Sequence, residues 1–237
     1  MMNSLLSAEL KLLKKNNMIS DKLIKTLIDG NIPFFANDNI SEYLSPLDLE
    51  ELQEEVEGNV KRLLNSLLID TKNDHNTHDT AKRVAKMLIQ ETLAGRYIER
   101  PKITTFPNAK HLDEMIIVKD IPVRSMCSHH MQNIYGKLSI GIIPDSDSKL
   151  MGLSKYNRLT DWIFSRGQIQ EEAIIQLRDE IIKVISPIGV SIVVEAEHMC
   201  MKHRGVKTEN TTMINSVMWG KFRTESDARR EFLSLIK

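Results

Sequence analysis

Four of the chain's seven histidines lie within three positions of one of its two cysteines: His129 and His130 follow Cys127, and His198 and His203 flank Cys200. A random scatter would place roughly 0.4 histidines there. Thiolate and imidazole together suit a borderline-soft ion, with zinc preferred, although iron accepts the same donors. In Cys127-Ser128-His129-His130 a thiolate and an imidazole can converge on one ion across a turn. In His198-Met199-Cys200 the outer pair shares parity, so a strand running to Met201 would aim both side chains at one face. Cys127, His130 and Cys200 then supply three ligands, and water takes the fourth position, the pattern of a catalytic zinc site. His129 and His198 are left near the metal without being needed to hold it, and both suit proton transfer near neutrality. The competing arrangement is a closed structural site with His129 or His198 as fourth ligand. Other signatures are absent: no His-Glu-x-x-His helix, no Pro-Cys-x-x-Cys, no Walker loop and no Gly-x-Gly-x-x-Gly.

The elements that must position these residues can be read from pattern. Ser45-Pro46 opens a helix whose Leu49, Leu52, Val56, Val60, Leu63, Leu64 and Leu67 recur at spacings of three or four, so it should bury one face. Asp79 opens a second helix with Gly95 as its C-terminal cap. Met115–Val118 and Ile134–Ile143 read as strands, then Leu153–Phe164 and Gln168–Ile185 as helices. Val190–Met201 and Met213–Phe222 read as two more strands, and Ala228–Leu235 as a last helix. The order from about residue 110 is β-β-α-α-β-β, an α+β pattern. Residues 1–45, with short segments Leu5–Leu13 and Leu23–Ile28, read as a variable helical appendage, either a partner-binding arm or a frayed terminus. Residues 46–109 form an N-terminal helical region and 110–237 the catalytic domain.

Composition narrows the function classes. Lysine and arginine number 32, and so do aspartate and glutamate, giving no net charge with neutral histidine. Bulk electrostatic binding of nucleic acid wants a basic surplus, so no nucleic-acid partner is expected. No apolar run approaches a membrane span and no secretory signal is visible, so the expected setting is cytoplasmic, with both cysteines as thiols.

Several motifs together carry a family resemblance. Ser125-Met126-Cys127-Ser128-His129-His130, Gly152-Leu153-Ser154-Lys155-Tyr156-Asn157-Arg158, Gln168-Ile169-Gln170-Glu171 and His198-Met199-Cys200-Met201 with Arg204-Gly205 resemble GTP cyclohydrolase I. Thr80–Met87 and Arg229–Leu233 add to the likeness, which covers about residues 46–237 in order. It implies the tunnelling fold, an antiparallel sheet with helices on one face, preceded by N-terminal helices. It also implies Zn2+ on Cys127, His130 and Cys200. The implied reaction has GTP as substrate: hydrolytic opening of the imidazole ring at C8, formate release, and ribose rearrangement to 7,8-dihydroneopterin triphosphate. His129 and His198 match the family's acid/base histidines, and Ser154 a serine assisting the ribose rearrangement. Glu171 matches the guanine-reading glutamate, with Gln170 beside it. Lys155, Arg158 and Arg204 match triphosphate contacts, and Arg83 one reaching in from a neighbouring subunit. The family assembles as a homo-oligomer, a decamer of two stacked pentamers with intersubunit active sites. Three positions depart from the family pattern: Ser128 where glutamate is common, Ala81 where proline is usual, and His203 where the family varies. The alternatives are a non-catalytic zinc-stapled nucleotide-binding scaffold, or a tunnelling-fold enzyme acting on a downstream pterin.

Overall fold

A computed structural model describes residues 18–237, and the expected Leu5–Leu13 segment lies outside them. The chain forms two compact units, one up to Glu99 and one from Arg100. Among the described residues, no helix is long and apolar enough to cross a membrane.

In the first unit, helix α1 (Ile19–Asp29) buries Ile19, Leu23 and Leu27, a strict four-residue repeat on one face. Its Ser20 backbone N–H donates to the Glu55 carboxylate of α2 (Pro46–Ser66) at 3.0 Å. Ser45 and Asp48 form a reciprocal capping box at the start of α2: the Asp48 N–H donates to Ser45 Oγ and the Ser45 N–H donates to Asp48 Oδ2. The Ser45 hydrogen bonds hold the Asp48 carboxyl down at about 2. The expected burial of one α2 face does not occur. No residue of α2 is buried, and Leu63 and Leu67 are exposed. Within its own unit α1 and α3 (Thr80–Met87) pack along it and the Gln90 amide donates to Gln53 Oε1 at 2.7 Å, yet Leu63 and Leu67 at the end of the apolar stripe stay exposed. The second expected helix is also broken before Gly95. After Met87 it widens into a π turn, Leu88–Thr92, in which the Thr92 hydroxyl donates to the Met87 carbonyl at 3.2 Å. Gly95 lies inside a further short helix, α4 (Ala94–Tyr97), rather than capping α3.

The second unit is α+β. Strands β2 (Ile116–Cys127), β3 (Gln132–Ile143), β6 (Gly189–His198) and β7 (Met213–Gly220) are antiparallel in the order β2-β3-β6-β7, and the two-residue β5 (Gly167–Gln168) runs parallel to β2 at its outer edge. Short β1 (Thr105–Pro107) and β4 (Lys149–Met151) pair separately. Helices α5 (Leu153–Phe164) and α6 (Gln170–Ile185) share one core with the sheet: Leu159, Ile163, Ile174, Leu177 and Ile181 meet Ile134, Leu138, Ile140, Ile192 and Val194. The C-terminal helices α8 (Lys221–Thr224) and α9 (Ser226–Leu235), which follow the short α7 (Met199–Lys202), add a smaller core around Phe222, Phe232 and Ile143.

β2 is far longer than the Met115–Val118 strand expected from pattern, and the reason bears on function. Its pairing with β3 skips a residue between Val118 and Ile121, where Asp120 takes a positive φ of 57°. Such a bulge reverses the parity of the strand residues beyond it. Val118 is buried, and after the bulge the odd-numbered Ile121, Val123, Ser125 and Cys127 are buried, joined at the end of the strand by Met126. The broken alternation hides the strand in the sequence and places Cys127 in the core.

Candidate active site

Cys127 ends β2 and is 4% exposed. Beyond it, the Met131 N–H donates to the Cys127 carbonyl at 2.9 Å and closes a turn that presents Ser128, His129 and His130 on the surface. β5 holds the other side of this turn. Cys127 pairs with Gln168, the Ser128 N–H donates to the Gln168 carbonyl at 3.2 Å, and the Gln168 amide donates to the Ile163 carbonyl at 2.7 Å.

The second half of the site departs from expectation. β6 stops at His198, and Met199–Lys202 coil into α7, so His198 and Cys200 do not share a strand face. The β6 ladder ends at this point: Ile134 lies opposite His198 although β3 runs on to Gln132, and β7 begins only at Met213, opposite Ala196. The backbone leaves the ladder and bonds to itself, the His203 N–H donating to the Met199 carbonyl at 3.0 Å. The helical turn still brings the half-buried Cys200 thiol into hydrogen-bond contact with Cys127. Burial raises the Cys200 pKa, its bond and charge coupling to Cys127 raise it further, and the nearby Arg204 guanidinium pulls it down. Two of the three expected metal ligands therefore meet. His130 remains on the exposed turn, and among the described residues no group of three His, Cys, Asp or Glu side chains converges.

His198 is positioned by an amide. Its Nε2 lies 2.9 Å from Gln170 Oε1, and Gln170 is buried as the first residue of α6. The Gln170 Nε2 donates to Asn215 Oδ1 at 2.6 Å and to the Met213 carbonyl at 3.2 Å, both on β7. Burial lowers the His198 pKa, and the Glu171 carboxylate opposes that shift. Glu171 itself is exposed in the first turn of α6, where the helix dipole favours an acid. Asn215 was not singled out by sequence reasoning. A signal existed: it shares parity with Val217 and Trp219, which pack against the core, and asparagine is depleted in strands.

Ser154, Lys155 and Arg158 occupy the first two turns of α5, whose N-cap Gly152 provides no side-chain cap, and place two cations near the positive end of the helix. Arg204 follows α7. Arg83 lies on α3 in the first unit, ion-paired with Asp79 at 3.5 Å.

Comparison with known proteins bears on this geometry. The sequence model of the GTP cyclohydrolase I family matches residues 56–237. GTP cyclohydrolase 1 of Brevibacillus brevis is 36% identical over 191 residues, covering 81% of this chain and 98% of that protein. Its namesake in Chlorobaculum tepidum is 38% identical over 210 residues, covering 84% and 93%. The Geobacillus kaustophilus protein of that name is 40% identical over 178 residues, covering 74% and 93%. A crystal structure of the archaeosine synthase QueF-Like in the apo form overlaps 52% of this chain and 97% of that chain at 12% identity and a TM-score of 0.35, a likeness too distant to bear on fold or function. With a family match over most of its length and relatives of one name spanned almost end to end, the chain belongs to the GTP cyclohydrolase I family.

Proposed function

We propose that this chain is a zinc-dependent enzyme that opens the imidazole ring of GTP at C8, releases formate and rearranges the ribose to give 7,8-dihydroneopterin triphosphate, the first step of a pteridine or tetrahydrofolate pathway. The observation that carries the reading is the meeting of the Cys127 and Cys200 thiols beside an amide-held His198.

The donor set fits zinc. Two thiols from separate elements are in contact, and His130 stands three residues from Cys127 on the same turn; burial and the neighbouring thiol raise the Cys200 pKa, a cost that a bound cation would offset. Cys127, His130 and Cys200 would hold the ion. When bound, zinc supplies Lewis acidity and makes hydroxide available near neutral pH.

The protein's own groups supply the rest. His129 and His198 move protons to and from the purine N7 and the ribose ring oxygen. The Glu171 carboxylate accepts from the N–H donors on the Watson–Crick edge of guanine. Lys155, Arg158 and Arg204 bind the triphosphate, joined by Arg83 from a neighbouring subunit, and Ser154 assists the later ribose rearrangement. The subunits assemble as two stacked pentamers with active sites between them, in the cytoplasm. A shared site also reconciles an uncharged chain with a polyanionic substrate, because basic residues converge from different subunits.

The test is direct. Metal-loaded protein incubated with GTP should release formate and yield a pterin that fluoresces after oxidation, while dihydroneopterin triphosphate should not be consumed. Absence of both products from GTP overturns the reading. Analytical ultracentrifugation checks the decamer, and a monomer in the active preparation would overturn the intersubunit site.

A further inference from the structure

We propose that Lys202 is a positioning residue: its ion pair with Glu197 holds α7 folded against the end of β6 and so keeps Cys200 beside Cys127. This deepens the proposed function and rests on its reading of Cys200 as a zinc ligand.

What needs holding is a single turn. α7 spans only Met199–Lys202. A lone helical turn fixes more backbone freedom than its hydrogen bonding returns, so it persists only where outside contacts support it. The chain beyond it gives little support. Among the described residues, the stretch 204–212 makes one main-chain hydrogen bond, from the Lys207 N–H to the Arg204 carbonyl at 3.4 Å. Two polar side-chain links tie α7 to the sheet among the described residues. Cys200 meets Cys127, and Lys202 Nζ lies 2.6 Å from Glu197 Oε2.

The two links grip the turn from opposite sides. Ile192, Val194 and Ala196 of β6 belong to the core that also holds Cys127 and against which Cys200 packs. Glu197 follows Ala196 on the strand, so its side chain stands on the other face. Lys202 lies two residues past Cys200, and helical neighbours at that spacing point apart. The thiol contact holds α7 from the core side, and the ion pair holds it from the far side. Metal binding would replace the thiol–thiol bond, whereas the ion pair involves no ligand and stays. The Lys202 side chain is 16% exposed, so water and salt screen this pair less than an ordinary surface pair.

Position and charge make different predictions. Lys202 and Glu197 carry opposite charges. If they acted on the metal through their fields alone, removing one would shift zinc affinity up and removing the other would shift it down. If the pair acts by holding the turn, removing either partner lowers it.

The experiment uses the full-length protein with Lys202→Met, which keeps most of the apolar stem, and Glu197→Gln. Zinc affinity is measured by competition with a chelator. Each variant should bind zinc about three- to tenfold more weakly than the parent. Lys202→Arg, which keeps the ion pair, should stay within about twofold of the parent. A second readout needs no zinc: the rate at which diamide joins Cys127 to Cys200 in metal-free protein should fall in Lys202→Met and in Glu197→Gln and recover in Lys202→Arg. Shifts of opposite sign in the two charge-removing variants overturn the proposal, as do parental values for both variants in both readouts. Parent that binds zinc and makes pterin while the variants match it sinks the clamp and leaves the proposed function standing. Parent that makes no pterin sinks the proposed function, and the diamide rates still decide the clamp.

Discussion

Glu171→Gln is the substitution that best separates reading the substrate from holding the fold. Glu171 is exposed in the first turn of α6, with Glu172 beside it, and the apolar core begins only at Ala173. Losing one first-turn carboxylate weakens the dipole interaction by about 0.3–1 kcal/mol, which for a chain of this size lowers Tm by less than about 4 °C. The effect on GTP should be much larger. A carboxylate accepting from the guanine edge is a charge-assisted bond worth about 1.5–3 kcal/mol, so kcat/KM should fall roughly 10- to 150-fold. The pH profile supplies an independent check. Burial lowers the His198 pKa and Glu171 opposes that shift, so removing the charge leaves burial unopposed. The His198 pKa then moves further down, and the acid limb of the rate profile shifts to lower pH. The assay is steady-state pterin formation across pH, with zinc content and Tm measured on the same preparation. A variant with kcat/KM within twofold of the parent and an unmoved acid limb would refute both the guanine contact and its coupling to His198.

Two further outcomes are expected. Cys200→Ala should lose the metal, read by elemental analysis as a fall from about one zinc per chain to near none; full occupancy in that variant rules out the ligand assignment. Burial pushes the Tyr156 phenol up to about 12 from an ordinary 10.0, so the fold favours the neutral form, and the stability present below pH 10 is lost as pH climbs toward 12. Tyr156→Phe should abolish up to about 3 kcal/mol of that alkaline loss in denaturant titrations, and parallel losses in the two proteins would contradict it.

Much of the second unit was legible because its elements follow one period each. α5 occupies Leu153–Phe164 as read, β3 contains Ile134–Ile143, and Ile174, Leu177 and Ile181 of α6 are all buried. Reading failed where a tertiary event interrupts the period. The bulge at Asp120 makes β2 look short in the pattern, since Lys119 and Asp120 fall where an apolar residue was due. The end of β6 could not be found from Val190–Met201, because the pattern of His198-Met199-Cys200 does not show that the ladder ends at Ile134–His198 and that pairing with β7 has already stopped at Ala196. The apolar stripe of α2 was visible, but periodicity says only that a face wants a partner, not that its own unit provides one. In the candidate site, Cys127 and Cys200 stood out by residue type, whereas Asn215 meets His198 only through Gln170 and carries no motif of its own.

The chemistry gathers at one end of the sheet because three local departures from regular structure act on the same register. The bulge in β2 turns Cys127 toward the core; a flat strand in the Val118 register would aim it at the other face. Gly136 lets β3 and β6 close up two residues from the Ile134–His198 pair, where an added Cβ would lie 2.1 Å from the Glu195 carbonyl oxygen. The abrupt turn into α7 then swings Cys200 back onto Cys127 instead of letting it run on past His198. Each device alone would be a local irregularity of the sheet. Together they bring a thiol from β2, a thiol from α7, an imidazole from β6 and an amide from α6 to one place, with β7 behind the amide to hold it still. The regular strands and helices supply the rigid frame, and the irregular residues between them aim these groups at one another.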